Sequence, residues 1–200
     1  MKRFITIALL LITAFSATVS AQIQTTLVID KGSSLTINGS TNISKFKLVL
    51  SGDKFPSSIF HFTTSLSQNC ITLSQNKLSL GVKNFTSGNK IALNGFLNLI
   101  QAESFPYLNI QLNNLEVVPG VPGINKIQGK ALVNITITGV TKQYSIPYTA
   151  IKENGFYYAE GKMRISIRDF GLIPPEEMMG LVKTSEWIEI NLQIIAKISF

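Results

Sequence analysis

His61 is the sequence's one histidine and Cys70 its one cysteine. Zinc sites draw mainly on sets of His and Cys ligands, and a Cys–His nucleophile pair would consume both residues at once. His61 lies in Ile59-Phe60-His61-Phe62. Strand alternation there puts the imidazole opposite Phe60 and Phe62, on a surface face. Cys70 opens the strand-like run Cys70-Ile71-Thr72-Leu73 and is expected as a buried, inert thiol. With no second cysteine, no internal disulfide forms. Glu176 and Glu177 are adjacent, so on a regular element they cannot face one substrate as an acid–base pair. Following Pro174-Pro175, they are expected at the positive end of a short helical turn near 174–179. No glycine-rich phosphate loop is present. No catalytic residue, metal site or cofactor is assigned, and the pattern is that of a binder rather than an enzyme.

What the Asp169–Gly180 segment does carry is grease. Phe170, Leu172, Ile173, Met178 and Met179 sit in a loop punctuated by Gly171 and Gly180. Gly171 permits a sharp turn, and methionine suits irregular apolar contacts. The loop is expected to cap or form the mouth of an apolar interior, with Phe170, Leu172 and Met179 turned inward.

That interior must come from strands. Phe46, Leu48 and Leu50 alternate with Lys47 and Val49; Leu78, Leu80 and Val82 with Ser79 and Gly81; Leu108, Ile110 and Leu112 with Asn109 and Gln111. The same period recurs at Val133-Ile135-Ile137, Tyr144-Ile146-Tyr148, Met163-Ile165-Ile167 and Ile188-Ile190-Leu192-Ile194. Each is a strand with one dry and one wet face. Turns are expected at Asn38-Gly39, Ser51-Gly52-Asp53, Pro119-Gly120, Pro122-Gly123, Thr138-Gly139 and Asn154-Gly155. One segment breaks the rhythm. Over 89–104, Leu93, Phe96, Leu97 and Ile100 fall at i, i+3, i+4 and i+7, an amphipathic helix closed off by Phe105-Pro106. Gly95 weakens it by about 1 kcal/mol relative to Ala. The result is an all-β domain, sandwich or barrel, with one helix laid over a dry surface.

The N-terminus is a separate matter. Lys2 and Arg3 precede an uncharged run of 14 residues from Phe4 to Ala17, and Val19-Ser20-Ala21 supplies small residues before Gln22. This is the layout of a secretory signal peptide over 1–21, cleaved after Ala21, with a run shorter than the roughly 20 residues a spanning helix needs. A single domain over 22–200, periplasmic or secreted, is expected. Without Lys2 and Arg3, 16 basic residues face 11 acidic ones, a net charge of +5. The lysines are scattered, which argues against nucleic acid and permits transient attraction to an anionic membrane surface. Oligomeric state is not legible.

Four stretches resemble the YceI family. They are Leu35–Phe46; Ser104–Ile110, with its Phe105-Pro106-Tyr107; Gly129–Lys142, with its strand and Thr138-Gly139 turn; and Gly161–Ile190, with Asp169-Phe170-Gly171 and Pro174-Pro175. They keep the family's order along nearly all of 22–200. The early His-Ser and downstream His of the commoner family pattern are replaced here by Asn38-Gly39-Ser40-Thr41-Asn42, and the usual Arg-Asp before the helix by Lys83–Lys90. The resemblance implies a lipocalin-like antiparallel barrel of about eight strands with an extended apolar pore. It also implies a lipid-like ligand, a polyisoprenoid or a fatty acyl chain. Inward positions by alternation, and so the candidate ligand contacts, are Phe46, Leu80, Phe96, Ile100, Ile110, Ile135, Tyr148, Ile165 and Ile190, with Phe170, Leu172 and Met179 from the loop.

Two alternatives share the same periodicity. Ile194–Phe200, ending in phenylalanine, resembles the assembly signal of a small outer-membrane β-barrel, although one Trp and five Tyr are few for two aromatic girdles. A secreted β-sandwich binding carbohydrate or protein would use exposed aromatics, for which Trp187 and Tyr157-Tyr158 are the candidates.

Overall fold

The computed structural model describes residues 22–55, 59–67, 69–74, 76–118, 125–177 and 179–199. Residues 1–21, the turns expected at Pro119-Gly120 and Pro122-Gly123, and Met178 lie outside them. The strands are β1 (Gln22–Ile29), β2 (Ser34–Ser40), β3 (Lys45–Ser51), β4 (Ile59–Ser67), β5 (Cys70–Ser74), β6 (Leu78–Gly81), β7 (Tyr107–Val118), β8 (Lys126–Ile137), β9 (Val140–Glu153), β10 (Phe156–Ser166), β11 (Glu176–Glu177), β12 (Val182–Lys183) and β13 (Trp187–Ser199). One α-helix, α1 (Lys90–Leu99), interrupts them.

Among the described residues, β1, β4, β5, β7, β8, β9, β10 and β13 pair in that order, and β13 returns to β1, so eight antiparallel strands close into a barrel-like ring. The β2–β3 hairpin extends one wall from β13, and β6 pairs with β7 beyond β5. Strand β13 therefore changes partner, from β2 at Glu189–Gln193 to β1 at Ala196–Ser199. Ile195 falls in the gap. There the buried Ser33 hydroxyl accepts from the Ile195 amide at 2.9 Å and donates to its carbonyl at 3.3 Å, standing in for a ladder residue. The same device occurs on β7 between β5 and β6. Asn76 Oδ1 accepts from the Leu112 amide at 2.8 Å, and its Nδ2 donates to the Leu112 carbonyl at 2.6 Å. A sheet interior leaves no backbone group unpaired without cost, so side chains fill the two breaks.

Ring closure decides which face is dry. Along β13, Ile188, Ile190, Leu192, Ile194, Ala196 and Ile198 all face the interior, while Glu189, Asn191, Gln193 and Lys197 alternate with them. The apolar set is thus turned away from the surroundings, the reverse of a barrel presenting an apolar band to lipid. The sandwich alternative fails on closure. Its aromatic candidates are also dispersed: Trp187 pairs opposite Ser166 and Tyr158 opposite Ile195, eight residues apart along β13, roughly 26 Å. Tyr157 faces the interior.

Several local expectations are corrected. Asn38-Gly39 is not a turn but part of β2, whose hairpin runs on to 41–44. The helix ends at Leu99, earlier than the expected 104, because Gln101 adopts a left-handed backbone (φ 50°) before Phe105-Pro106 is reached. The segment after Pro174-Pro175 is extended, with Glu176 opposite Lys183 in the β11–β12 pair. The short helical turn lies earlier, at Ile167–Phe170, capped by the Ser166 hydroxyl and ended by Gly171 at φ 73°. Proline's fixed φ suits an extended strand as well as a first helical turn, and the ladder with β12 decides between them. Cys70 is half-buried rather than buried. Thr138-Gly139 and Asn154-Gly155 form the expected tight turns, all four residues at positive φ. His61 is exposed, as its alternation implies, and meets Thr26 Oγ1 at 3.1 Å.

Candidate functional site

The ring encloses a cavity of about 880 Å³ whose wall is drawn from all eight ring strands, both added strand pieces, α1 and the 171–185 loop. Eight strands suffice to leave room for one ligand, and this volume lies in the upper part of the roughly 300–1,000 Å³ usual for binding clefts.

Strand β7 shows how the sequence keeps the wall apolar. Leu108, Ile110 and Leu112 face inward, then the register against β8 shifts between Leu112 and Asn114. One residue is added, the phase flips, and Leu115 and Val117 face inward in turn. The two asparagines at 113–114 are where the alternation of apolar residues jumps by one. That jump was the legible signal for extending the dry face past Leu112.

The helix lies across one end. Asn89 caps it, its Oδ1 accepting from the Ala92 amide at 3.0 Å. Leu93, Phe96, Leu97 and Ile100 pack on the core as the 3.6-residue stripe implies, with Phe96 edge-on to Phe85 at 5.2 Å between ring centres. A second face, Ile91, Ala92, Gly95 and Leu99, borders the cavity. Nothing lies within 4 Å of where a Cβ on Gly95 would be, so its missing side chain is cavity space.

Of the sequence-derived positions, Phe46, Leu80, Phe96, Ile100, Ile110, Ile135, Tyr148, Leu172 and Ile190 are brought together on the cavity wall. Ile165 and Phe170 are not. Both are almost fully buried in the solid packing beside it, where the Phe170 ring meets the Tyr144 ring at 6.2 Å. Met179 is a correction. It is fully exposed, at positive φ, next to the loop's Gly180, and does not turn inward. The loop alternates instead: Leu172 and Val182 reach the cavity, and Ile173 and Leu181 point away.

Polar groups in the wall are already engaged. The Thr25 and Thr64 hydroxyls, which sequence reading passed over, bond to each other at 2.9 Å. Asn76 is occupied by Leu112. Tyr148 donates to the Glu116 carbonyl at 3.3 Å, and burial raises its phenol above the ordinary value of 10.0. Both cross-strand neighbours of Tyr148 are glycines, Gly129 and Gly161, which leave its ring room. Exposed Lys77 and Glu160 border the cavity. The interior therefore offers dispersion and water exclusion rather than directed hydrogen bonds. Among the described residues, no group of three or more His, Cys, Asp or Glu could hold a metal ion. Nor is any helix there long and apolar enough to cross a membrane.

No family model and no curated protein matches the sequence. Solved structures do resemble it. A polyisoprenoid-binding domain from Saccharophagus degradans, implicated in plant cell wall breakdown, aligns with TM-score 0.59 at 9% identity, covering 86% of this chain and 97% of that one. Burkholderia cenocepacia BcnA aligns with TM-score 0.57 at 14% identity, covering 84% and 99%. A Campylobacter jejuni YceI protein is a looser match, TM-score 0.43 at 15% identity over 62% and 71%. The fold and site define a closed antiparallel β-ring protein with an apolar central cavity. More particularly, the chain shares the fold of the Saccharophagus polyisoprenoid-binding domain and of BcnA.

Proposed function

We propose that this chain is a periplasmic or secreted carrier that holds one long apolar amphiphile, a polyisoprenoid or a fatty acyl chain, in its central cavity. The observation that carries the reading is the continuous apolar wall of a space of about 880 Å³. Apart from Lys77 and Glu160, which are exposed to solvent, its polar groups bond to one another or to backbone, so a hydrocarbon chain lying there strands few of them. The polyisoprenoid-binding domain of like fold supports the same ligand class. The pattern Lys2 to Ala21 supports export. In this reading Phe46, Leu80, Phe96, Ile100, Ile110, Ile135, Tyr148, Leu172 and Ile190 contact the ligand directly. Ile165 and Phe170 hold the wall from behind.

Native mass spectrometry of the purified protein, followed by solvent extraction, tests this. A bound lipid of one chain class, or uptake of prenyl or fatty-acyl probes lost in Ile135→Glu, is the expected result. A lipid-free protein that takes up neither probe overturns the proposal.

A further inference from the structure

Five large apolar side chains lie exposed at the helix end of the ring. Ile43 is 72% exposed, Ile91 68%, Ile173 75%, Leu181 73% and Met179 fully. They come from three segments: the 41–44 tip of the β2–β3 hairpin, the first turn of α1, and the 171–185 loop. The tip and the loop are joined. Asn42 donates from its amide to the Lys183 carbonyl at 3.0 Å and from Nδ2 to the Leu181 carbonyl at 2.9 Å, and Oδ1 accepts from the Lys183 amide at 3.0 Å. The start of α1 is tied to the same hairpin, Ser87 Oγ donating to the Lys47 carbonyl at 2.7 Å. Ile43 and Ile91 also border the cavity. Ile43 and Ile91 thus mark where this end of the cavity reaches the surface, and the bonded 171–185 loop lies beside them.

Each of the three segments pairs an exposed apolar residue with a lysine one or two positions away: Ile43 with Lys45, Ile91 with Lys90, Leu181 with Lys183. Among the described residues, Lys45, Lys47 and Lys90 have no ion-pair partner, and Lys183 reaches Glu176 only at 3.9 Å. Apolar tips that enter the acyl boundary, flanked by cations that meet phosphate, are the two components of interfacial membrane binding. An apolar rim alone would fit many partners; the lysine beside each tip selects an anionic one.

We infer that this rim is a docking surface for an anionic lipid bilayer, which seats the cavity mouth on the membrane. The inference rests on the carrier reading, since it assigns the rim as the place where lipid passes between bilayer and cavity.

The test is co-sedimentation of the purified protein with vesicles of phosphatidylcholine alone and of phosphatidylcholine with phosphatidylglycerol. Binding should require the anionic lipid and weaken as salt is raised. A Lys45→Gln, Lys90→Gln, Lys183→Gln variant should lose on the order of a hundredfold in apparent affinity. Ile173→Ser with Leu181→Ser, which leaves the cavity wall intact, should lose binding comparably. Both variants should match the parent in melting temperature and in uptake of a fluorescent fatty acid offered without vesicles. If the parent protein takes up fatty acid but ignores anionic vesicles, or if both variants bind vesicles as it does, the docking surface is overturned and the carrier reading stands. Salt-sensitive vesicle binding lost in the variants, by a protein that takes up no lipid, supports the surface and removes the carrier reading.

Discussion

Asn76 holds both backbone atoms of Leu112 with its side-chain amide, at 2.8 Å and 2.6 Å. It does so one residue before the β7 register shifts, in the break between β5 and β6. Replacing Asn76 with Ala leaves a half-buried amide and carbonyl unpaired. Asn76→Ala should lower unfolding free energy by about 2–3 kcal/mol. Asn76→Asp should retain part of it, because the acceptor for the amide survives. Denaturant titration of the three proteins checks the order; equal stability of all three would show the bonds to be immaterial.

Phe46 lies over Gly39 on the adjacent strand, so closely that a Cβ there would come within 2.3 Å of the ring. Gly39 thus serves as a seat for an aromatic side chain on the cavity wall. Gly39→Ala should push the Phe46 ring off its position, destabilise by about 1–3 kcal/mol and alter lipid uptake together. A Phe46→Leu background, with a smaller side chain over the seat, should relieve most of the cost, which a double-mutant cycle measures.

Gly95 separates helix stability from cavity space. Gly95→Ala should stabilise α1 by up to about 1 kcal/mol, since glycine is a poor helix former and the added methyl meets nothing. Gly95→Phe places a ring in the cavity and should abolish uptake of a fluorescent fatty acid with the fold retained. Undiminished uptake by the phenylalanine variant would show that the ligand does not pass this face of α1.

The Tyr144 hydroxyl donates to Asp169 Oδ2 at 2.9 Å. Burial first, then that carboxylate, drive its phenol far above the ordinary value of 10.0. The neutral form is the one the fold favours. Its stabilising effect is therefore complete below about pH 10 and declines as the pH rises beyond it. The phenolate absorbance lost in Tyr144→Phe, read as a difference across an alkaline titration, should appear only above the usual tyrosine range. The wild-type stability advantage over the variant should shrink over the same interval.

Most of the framework was legible because it rests on local periodicity. Alternation located β3, β6 through β10 and β13, and the 3.6-residue stripe located α1, since a residue's neighbours in the chain determine those patterns. Positive-φ turns at Thr138-Gly139 and Asn154-Gly155 were equally local. Strand β1 was less so, because its inward face includes Thr25, a residue that reads as polar until Thr64 is brought 2.9 Å away.

Three things needed the tertiary structure. Period-2 alternation is symmetric between inside and outside. Only closure of eight strands, through β13 meeting β1, determined that the apolar face encloses a cavity instead of meeting lipid. The Pro174-Pro175-Glu176-Glu177 segment suits a helix start or a strand, and its pairing with Val182-Lys183 chose the strand. Met179 has the right chemistry for an interior, yet the same pairing throws it outward at the turn while Leu172 and Val182 turn in. Composition and spacing establish which residues are apolar and how often they recur. Which of them meet each other, and around what space, depends on contacts between strands far apart in the chain.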